Sequence, residues 1–257
     1  MWKGIDVSDN QGVIDWGKVA AAGVQFAVLR SVRRSGKADY QFAANLEGCR
    51  QHGIPVAAYK YTYATTAAEV REEARQVTEL LRDSGLTGTK VWWDVEDRDT
   101  LRPLGAARLT ELIRTAQETV GAAGYQFGLY VGLNVFKEKW FDFNQFAAVP
   151  LWMARYYLGY QPVDFSDDPD QGKCPEAGRP LWGWQHSSTG RVPGISGNVD
   201  LDVCYQDPAE WTKDREAGVI YTVSVADVWT RPQAEEVQRQ LAAIGIQGVV
   251  HKVQILE

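Results

Sequence analysis

The sequence predicts an α/β protein: an eight-stranded (β/α) TIM-like barrel followed by a small C-terminal β-α-β module. The first observation is a series of short runs that are apolar at nearly every position, as in strands buried on both faces of a parallel sheet. The second is that amphipathic helical segments separate these runs, which is typical of parallel strands joined by crossover helices. The runs lie at residues 3–7, 24–32, 54–63, 90–96, 127–131, 151–156, 181–185 and 199–203. Eight strands within about 205 residues fit closure into a barrel.

Two segments between the runs have the apolar spacing of helices. In residues 67–82 the apolar stripe consists of Val70, Ala74, Val77 and Leu81. In residues 105–123 it consists of Leu109, Leu112, Ile113, Ala116 and Val120. An open doubly wound sheet is the alternative fold, but no Gly-rich dinucleotide-binding turn follows the first run. We therefore favour the barrel.

Composition and charge exclude several classes of function. The chain of 257 residues carries 27 Lys and Arg against 33 Asp and Glu, a net charge of −6, so no nucleic-acid partner is expected. No apolar run reaches the roughly 18 residues of a membrane span, and no export signal precedes the first predicted strand. Three widely spaced cysteines predict free thiols rather than disulfides. Three scattered histidines give no metal-site spacing, so neither a metal nor a cofactor is expected.

Acidic and aromatic residues recur where the predicted strands end. Catalytic groups of a β/α barrel gather at the carboxyl ends of its strands. The first run carries Asp6, the third ends in alternating tyrosines, and the last carries Asp200. Ten tryptophans exceed ordinary core needs, and we expect Trp152 and Trp184 to flank a groove while Trp16 and Trp93 pack in the core. Acids beside aromatic rings are typical of a site that cleaves sugars.

The strongest catalytic signal is the fourth run, which ends in Trp93-Asp94-Val95-Glu96. Asp94 and Glu96 are two positions apart, so their side chains leave the same face of a strand. Two carboxylates held close together repel each other, which raises one pKa and creates a candidate general acid. Glycoside hydrolysis usually requires such a pair. The alternative interpretation is two acids at the polar end of a strand, without a chemical role.

Several segments together resemble the glycoside hydrolase family 25 lysozymes, the Chalaropsis-type N-acetylmuramidases of bacteria and phages. The opening Gly-Ile-Asp-Val-Ser of residues 4–8 and the Trp-Asp-Val-Glu of residues 93–96 belong to this match. The other matching segments are residues 9–16, 59–63, 128–130, 151–156, 184–185 and 190–202. The resemblance spans residues 2 to about 206 and is specific as a set, although no single segment is.

The resemblance implies a barrel that cleaves the β-1,4 bond between N-acetylmuramic acid and N-acetylglucosamine in bacterial peptidoglycan. By position, Glu96 is expected to be the general acid/base, and Asp94 to orient the acetamido group of the substrate or stabilise the oxocarbenium-like state. Asp6 and Asp200 are expected to complete the acidic floor; the motif register favours Asp200 over Asp202. The residues expected to shape the sugar subsites are Tyr61, Tyr63, Tyr130, Trp152 and Gln185.

Other features of this match are less regular. Alternation along the third run predicts that Lys60 points away from the site, and Arg155 stands where the family commonly has a smaller polar residue.

The two-residue spacing of the acids is closer to the separation of about 5–5.5 Å in retaining enzymes than to the 6.5–9.5 Å of inverting enzymes. Our hypothesis is retention with the acetamido oxygen of the substrate as nucleophile.

The biological setting allows alternatives. A phage endolysin, held in the host cytoplasm until lysis and then acting on the cell wall, is the leading interpretation; a secreted bacterial autolysin is the second. A glycan-binding pseudo-enzyme would lack one of the acids, and all of them are present. A chitin-active glycosidase would share the same chemistry.

Domain boundaries follow from a change of pattern near the C-terminus. We expect residues 1–208 to form the catalytic barrel, 209–217 a charged linker, and 218–257 the β-α-β module. A module this small cannot bury an adequate core alone. It is therefore expected to dock on the barrel or to pair with a second copy as a homodimer. It weakly resembles half of a SPOR-type peptidoglycan-binding repeat, which would make it a cell-wall-binding module.

Overall fold

The computed structural model describes residues 1–211, in which eight strands close into a barrel. The strands are β1 (Trp2–Val7), β2 (Phe26–Arg30), β3 (Val56–Tyr61), β4 (Lys90–Asp94), β5 (Gln126–Gly132), β6 (Leu151–Ala154), β7 (Val163–Asp164), β8 (Gly183–Arg191) and β9 (Val199–Cys204). The short β7 pairs with the far end of β8 and is outside the barrel. Each of the eight predicted apolar runs corresponds to a barrel strand. The predicted module at 218–257 lies outside the described residues.

The barrel is not a regular (β/α)8 barrel, so this part of the prediction is wrong. Strands β1 to β6 run parallel in chain order, and β8 continues the parallel series beside β6. However, β9 runs antiparallel to both β8 and β1 and closes the ring between them. The connection between β8 and β9 is a hairpin without a helix, and its residues 193–194 are a Pro-Gly pair. The result is a mixed α/β fold around a closed barrel.

Five helices pack within residues 1–211: α1 (Trp16–Ala21), α2 (Phe42–Gln51), α3 (Ala67–Asp83), α4 (Gly105–Ala122) and α5 (Leu133–Lys137). The two predicted helices are confirmed as α3 and α4. The start of α3 is fixed by a capping box, in which the Thr66 hydroxyl accepts from the Glu69 backbone and the Glu69 carboxylate accepts from the Thr66 backbone. The predicted apolar stripe of α3 is buried against the barrel. No helix within residues 1–211 is long and apolar enough to cross a membrane.

Alternation along the strands divides the core into two layers. In β4, Val91 and Trp93 join the large cluster under the helices, whereas Trp92 joins a smaller aromatic cluster inside the barrel. The aromatic rings of the inner cluster leave no room for a side chain at some positions of the neighbouring strands. Gly128 on β5 faces the Trp92 ring, and a Cβ there would lie 2.6 Å from that ring. The glycine therefore makes room for an aromatic ring in the barrel interior.

The structure agrees with the sequence analysis on the three free cysteines and on the two tryptophans that were expected in the core. Cys49, Cys174 and Cys204 are free thiols. Trp16 is buried between α1 and α2, where its indole donates to the Asn45 side chain at 3.3 Å. Trp93 is buried in the layer under the helices.

We expect Gly128→Ala to lower the free energy of unfolding by about 1–3 kcal/mol, because the added methyl group overlaps the Trp92 ring. Gly121→Ala is the matched control. Gly121 is exposed in the last turn of α4 with open space around its Cβ position, so the same substitution there is expected to stabilise the fold by about 0.5–1 kcal/mol. Urea unfolding measures both changes. Equal effects at the two positions would contradict the assigned packing.

Candidate active site

One cleft of about 480 Å³ opens at the end of the barrel where the parallel strands terminate. Its lining includes every residue that the sequence analysis assigned to the site: Asp6, Tyr61, Tyr63, Asp94, Glu96, Tyr130, Trp152, Gln185 and Asp200. It also includes residues that the sequence analysis did not select: Asn10, Arg30, Val32, Arg33, Arg34, Tyr59 and Tyr156. A larger cleft of about 700 Å³ lies elsewhere, beside residues 164–166 and 191–198, and contains none of the predicted site residues.

Strand register places the site residues at one level. Tyr61 pairs with Asp94, and Asp94 pairs in turn with Tyr130 on β5. Tyr130 then pairs with Trp152 on β6. On the other side of the barrel, Asp6 pairs with Asp200. Because β9 is antiparallel, a residue near its beginning lies at the same end of the barrel as residues near the ends of the parallel strands.

Glu96 lies just beyond the end of β4 and has the electrostatic environment of a general acid. Burial, followed by the negative charges of Asp6 and Asp97, raises its pKa to about 7. A carboxyl with that pKa still carries its proton over much of the neutral range. It is therefore suited to protonate a leaving oxygen and then to act as a base.

Asp94 is more deeply buried than Glu96 and is held among like charges. Only 4% of Asp94 is exposed. Burial and the charges of Glu96 and Asp6 raise its pKa well above the usual range, while Lys60 acts in the opposite direction. Within residues 1–211 its buried Oδ1 has no hydrogen-bond partner.

Gln185 is the centre of a hydrogen-bond network under the cleft. Its Nε2 donates to Asp6 Oδ2 at 2.6 Å. Its Oε1 accepts from the hydroxyls of Tyr130 at 2.7 Å and Tyr156 at 2.6 Å. Burial raises the pKa of Asp6 to about 6, against the lowering effect of the Gln185 amide. The sequence analysis did not assign Tyr156 to the site, although Tyr156 ends the segment 151–156 that resembles the family. That position in the segment was the signal that could have identified it.

Asp200 and Asp202 have different environments. Asp200 lines the cleft and is partly exposed. Asp202 is only 1% exposed and lies behind it, where its Oδ1 accepts from the Trp152 indole at 3.0 Å and its carboxyl hydrogen-bonds to Asp6. Two carboxyl groups form such a bond only when one carries a proton. Burial and the charges of Asp6 and Asp200 raise the pKa of Asp202 well above the usual range, so Asp202 is the protonated partner.

Two tyrosines form one wall of the cleft. The rings of Tyr61 and Tyr63 lie 4.8 Å apart, and the Tyr61 hydroxyl donates to Asp97 Oδ2 at 3.3 Å. Rings presented in this way suit the apolar faces of sugars. Tyr59 lies deeper in the cleft, and burial, followed by the charge of Asp6, raises its pKa well above the usual range. It shares the alternating pattern of the other two tyrosines, so the sequence also carried this signal.

Three side chains near the site do not line the cleft. Lys60 points away, as predicted, and its ammonium lies 3.2 Å from Glu73 Oε1 of α3. Arg155 donates to the Lys173 carbonyl at 2.7 Å. The prediction for Trp184 is wrong: it is fully buried and its indole donates to the Arg155 carbonyl. Within residues 1–211, no group of three His, Cys, Asp or Glu side chains is arranged to hold a metal ion.

We expect Asp202→Asn to flatten the dependence of stability on pH. A group whose pKa is raised in the folded state stabilises the fold at low pH, and this contribution is lost as pH rises through the folded pKa. The amide keeps the shape, accepts from Trp152 and donates to Asp6 without titrating. Between about pH 4 and pH 9 the variant is expected to lose about 1–3 kcal/mol less of its free energy of unfolding than the unaltered protein.

Urea unfolding at several pH values measures this difference. Asp164→Asn, at an exposed position of β7, is the matched control and is expected to leave the pH dependence unchanged. Parallel stability curves for Asp202→Asn and the unaltered protein would show that Asp202 is ionised in the folded state.

Comparison with known proteins places this barrel and cleft among enzymes. The family model described as "Glycosyl hydrolases family 25" matches residues 5–195. The uncharacterized protein YegX of Escherichia coli O157:H7 is 28% identical over 209 residues, covering 78% of this chain and 68% of YegX. The autolytic lysozyme of Clostridium acetobutylicum is 26% identical over 204 residues, covering 78% of this chain and 55% of that enzyme.

A solved structure agrees with these sequence matches. The modular autolysin LytC from Streptococcus pneumoniae is 27% identical and superposes with a TM-score of 0.63. The match covers 79% of this chain and 46% of the autolysin. Because the family model matches most of the chain, including all the strands from β2 to β8, the protein is a member of glycosyl hydrolase family 25.

Proposed function

We propose that the protein is a lysozyme, an N-acetylmuramidase that hydrolyses the β-1,4 bond between N-acetylmuramic acid and N-acetylglucosamine in peptidoglycan. The observation that carries this proposal is the raised pKa of Glu96 in a cleft shared with Asp6, Asp94 and Asp200. That arrangement provides a proton donor beside groups able to stabilise positive charge at an anomeric carbon. Similarity to an autolytic lysozyme supports peptidoglycan as the substrate.

The proposed mechanism assigns the first proton transfer to Glu96. Its carboxyl gives a proton to the glycosidic oxygen as the bond from that oxygen to the anomeric carbon breaks. The acetamido oxygen of the same sugar attacks that carbon from the opposite face, and Asp94 holds the acetamido group and stabilises its developing positive charge. The Glu96 carboxylate then takes a proton from the water that opens the intermediate, so the product retains its β configuration.

The aromatic and amide residues are proposed to fix the sugar in place. Tyr61, Tyr63, Tyr130 and Trp152 provide ring faces along the cleft, and Gln185 holds Asp6 in position beneath it. Asp200 and Asp6 add negative charge near the reacting carbon. Binding energy from such remote contacts lowers the barrier only when it aligns the bond with Glu96.

For the biological setting we propose a phage endolysin that acts on the wall during host lysis. The three free thiols suit synthesis in a reducing cytoplasm. An autolysin is the second candidate, because two of the relatives carry that description. Fractionation of intact producing cells separates the two: an endolysin stays inside until the membrane is permeabilised, whereas an autolysin reaches the wall unaided.

We expect Glu96→Gln to slow the clearing of purified cell walls by about 10²–10⁴-fold, because the amide cannot donate and recover a proton. Glu118→Gln, at an exposed position of α4, is the matched control and is expected to keep full activity. Wall turbidity and circular dichroism measure activity and folding. Chemical identification of the new reducing end distinguishes muramic acid from glucosamine, and glucosamine would contradict the muramidase assignment.

The pH profile provides a second test of the role of Glu96. Because the protonated form is the active acid and its pKa is about 7, kcat/KM is expected to fall as pH rises above about 7. The Asp97 charge raises that pKa, so Asp97→Asn is expected to move the alkaline limb to lower pH. Initial rates on soluble glycan fragments measure both profiles. A limb that stays fixed in Asp97→Asn would assign the titration to another group.

A further inference from the structure

Two arginines give one end of the acidic cleft the opposite charge. Arg33 and Arg34 follow β2 and line the cleft together with Arg30. Arg30 is neutralised locally, since its guanidinium contacts both Asp9 and Asp39. Arg33 and Arg34 have no carboxylate within 4.0 Å among residues 1–211, so their charges are available at the cleft.

Aromatic rings hold both of these guanidinium groups. The Arg33 guanidinium carbon lies 3.6 Å from the centroid of the Tyr40 ring, and that of Arg34 lies 4.5 Å from the centroid of the Tyr63 ring. Arg33 also donates from Nε to the Ala38 carbonyl at 3.0 Å. Stacking fixes the plane of a guanidinium but leaves its edge free for a bidentate acceptor. Each guanidinium therefore has an aromatic partner and no carboxylate partner among residues 1–211.

The tyrosine wall connects this basic end to the catalytic acids. Arg34 stacks on Tyr63, whose ring contacts Tyr61. The Tyr61 hydroxyl in turn reaches Asp97, whose charge acts on Glu96. A continuous series of contacts therefore runs from Arg34 along the two tyrosines to the acids around Glu96.

We infer that Arg33 and Arg34 form a binding site for the carboxylates of the peptide stem that peptidoglycan carries on its muramic acid. This inference rests on the proposed function. N-acetylglucosamine is uncharged, and the lactyl carboxyl of N-acetylmuramic acid is neutral while it forms the amide to the stem, so in stem-bearing strands the carboxylates belong to the stem. Paired guanidinium groups bind carboxylates bidentately. They also offset the repulsion that a stem carboxylate meets from Asp6, Asp94 and Asp200 in the same cleft. Phosphate of wall teichoic acid shares this chemistry and is the other source of a ligand.

The test compares three soluble substrates: glycan strands that carry stems, the same strands with every stem carboxylate converted to a neutral amide, and such amidated strands that also carry teichoic acid. We expect the double variant R33Q/R34Q to raise KM on stem-bearing strands about tenfold more than on strands with amidated stems, with kcat changed little. The effect is expected to shrink in high salt. The double variant R71Q/R108Q removes two exposed arginines from α3 and α4 and is the matched control with the same change of net charge.

A second variant separates ligand binding from packing. R33K/R34K keeps both charges but loses the planar forks, so it is expected to restore KM only in part. An equal loss on stem-bearing and amidated strands would overturn the stem site, because packing alone would then explain it. A loss confined to teichoic-acid strands would overturn it in favour of phosphate. If the unaltered enzyme cleaves none of the three substrates, the proposed function fails before the stem site is tested.

Discussion

The structure depends on keeping several carboxyl groups together at one end of a closed barrel without ionising all of them. The group consists of Asp6, Asp94, Glu96, Asp200 and Asp202, and burial raises the pKa of every member. In a medium of low dielectric constant, each added negative charge disfavours the next, so the group retains protons at a pH where exposed carboxyls have lost theirs. Those retained protons make acid catalysis available near neutrality. They also make the fold less stable as pH rises, because each ionisation then occurs against burial.

Barrel closure by an antiparallel strand is what adds the second pair of acids to this group. Asp200 and Asp202 are two residues apart on β9, so both point to the same face of the strand. The strand pairs with β1, with Asp200 opposite Asp6 and Asp202 opposite Gly4. If the same segment were a parallel strand that followed a crossover helix, its C-terminal end would lie beside the cleft instead of the end that carries Asp200. The departure from a regular (β/α)8 barrel therefore has a direct chemical consequence.

Much of this architecture could be predicted from the sequence, and the errors have physical causes. Apolar runs located every barrel strand, because buried strands must be hydrophobic. The direction of β9 was missed because an apolar run reads the same in both directions, although the Pro-Gly at 193–194 indicates a tight connection. Trp184 was misplaced because it precedes Gln185 on a strand, and neighbours there face opposite sides. Arg33 and Arg34 were missed because they lie after a strand, where only the folded chain shows what faces the cleft.

The hydrogen-bond network lowers the pKa of Asp6 and, through the charge of Asp6, acts on the pKa of Glu96. The buried Tyr130 and Tyr156 hydroxyls remain protonated because burial raises both pKa values. Both donate to Gln185 Oε1, which turns the amide nitrogen toward Asp6. Asp6 thus accepts hydrogen bonds from Gln185 and from the protonated Asp202, and both bonds favour its ionised form. The charge on Asp6 then raises the pKa of Glu96. Tyr130 and Tyr156 therefore act on the pKa of Glu96 indirectly, through the Gln185 amide and the Asp6 carboxylate.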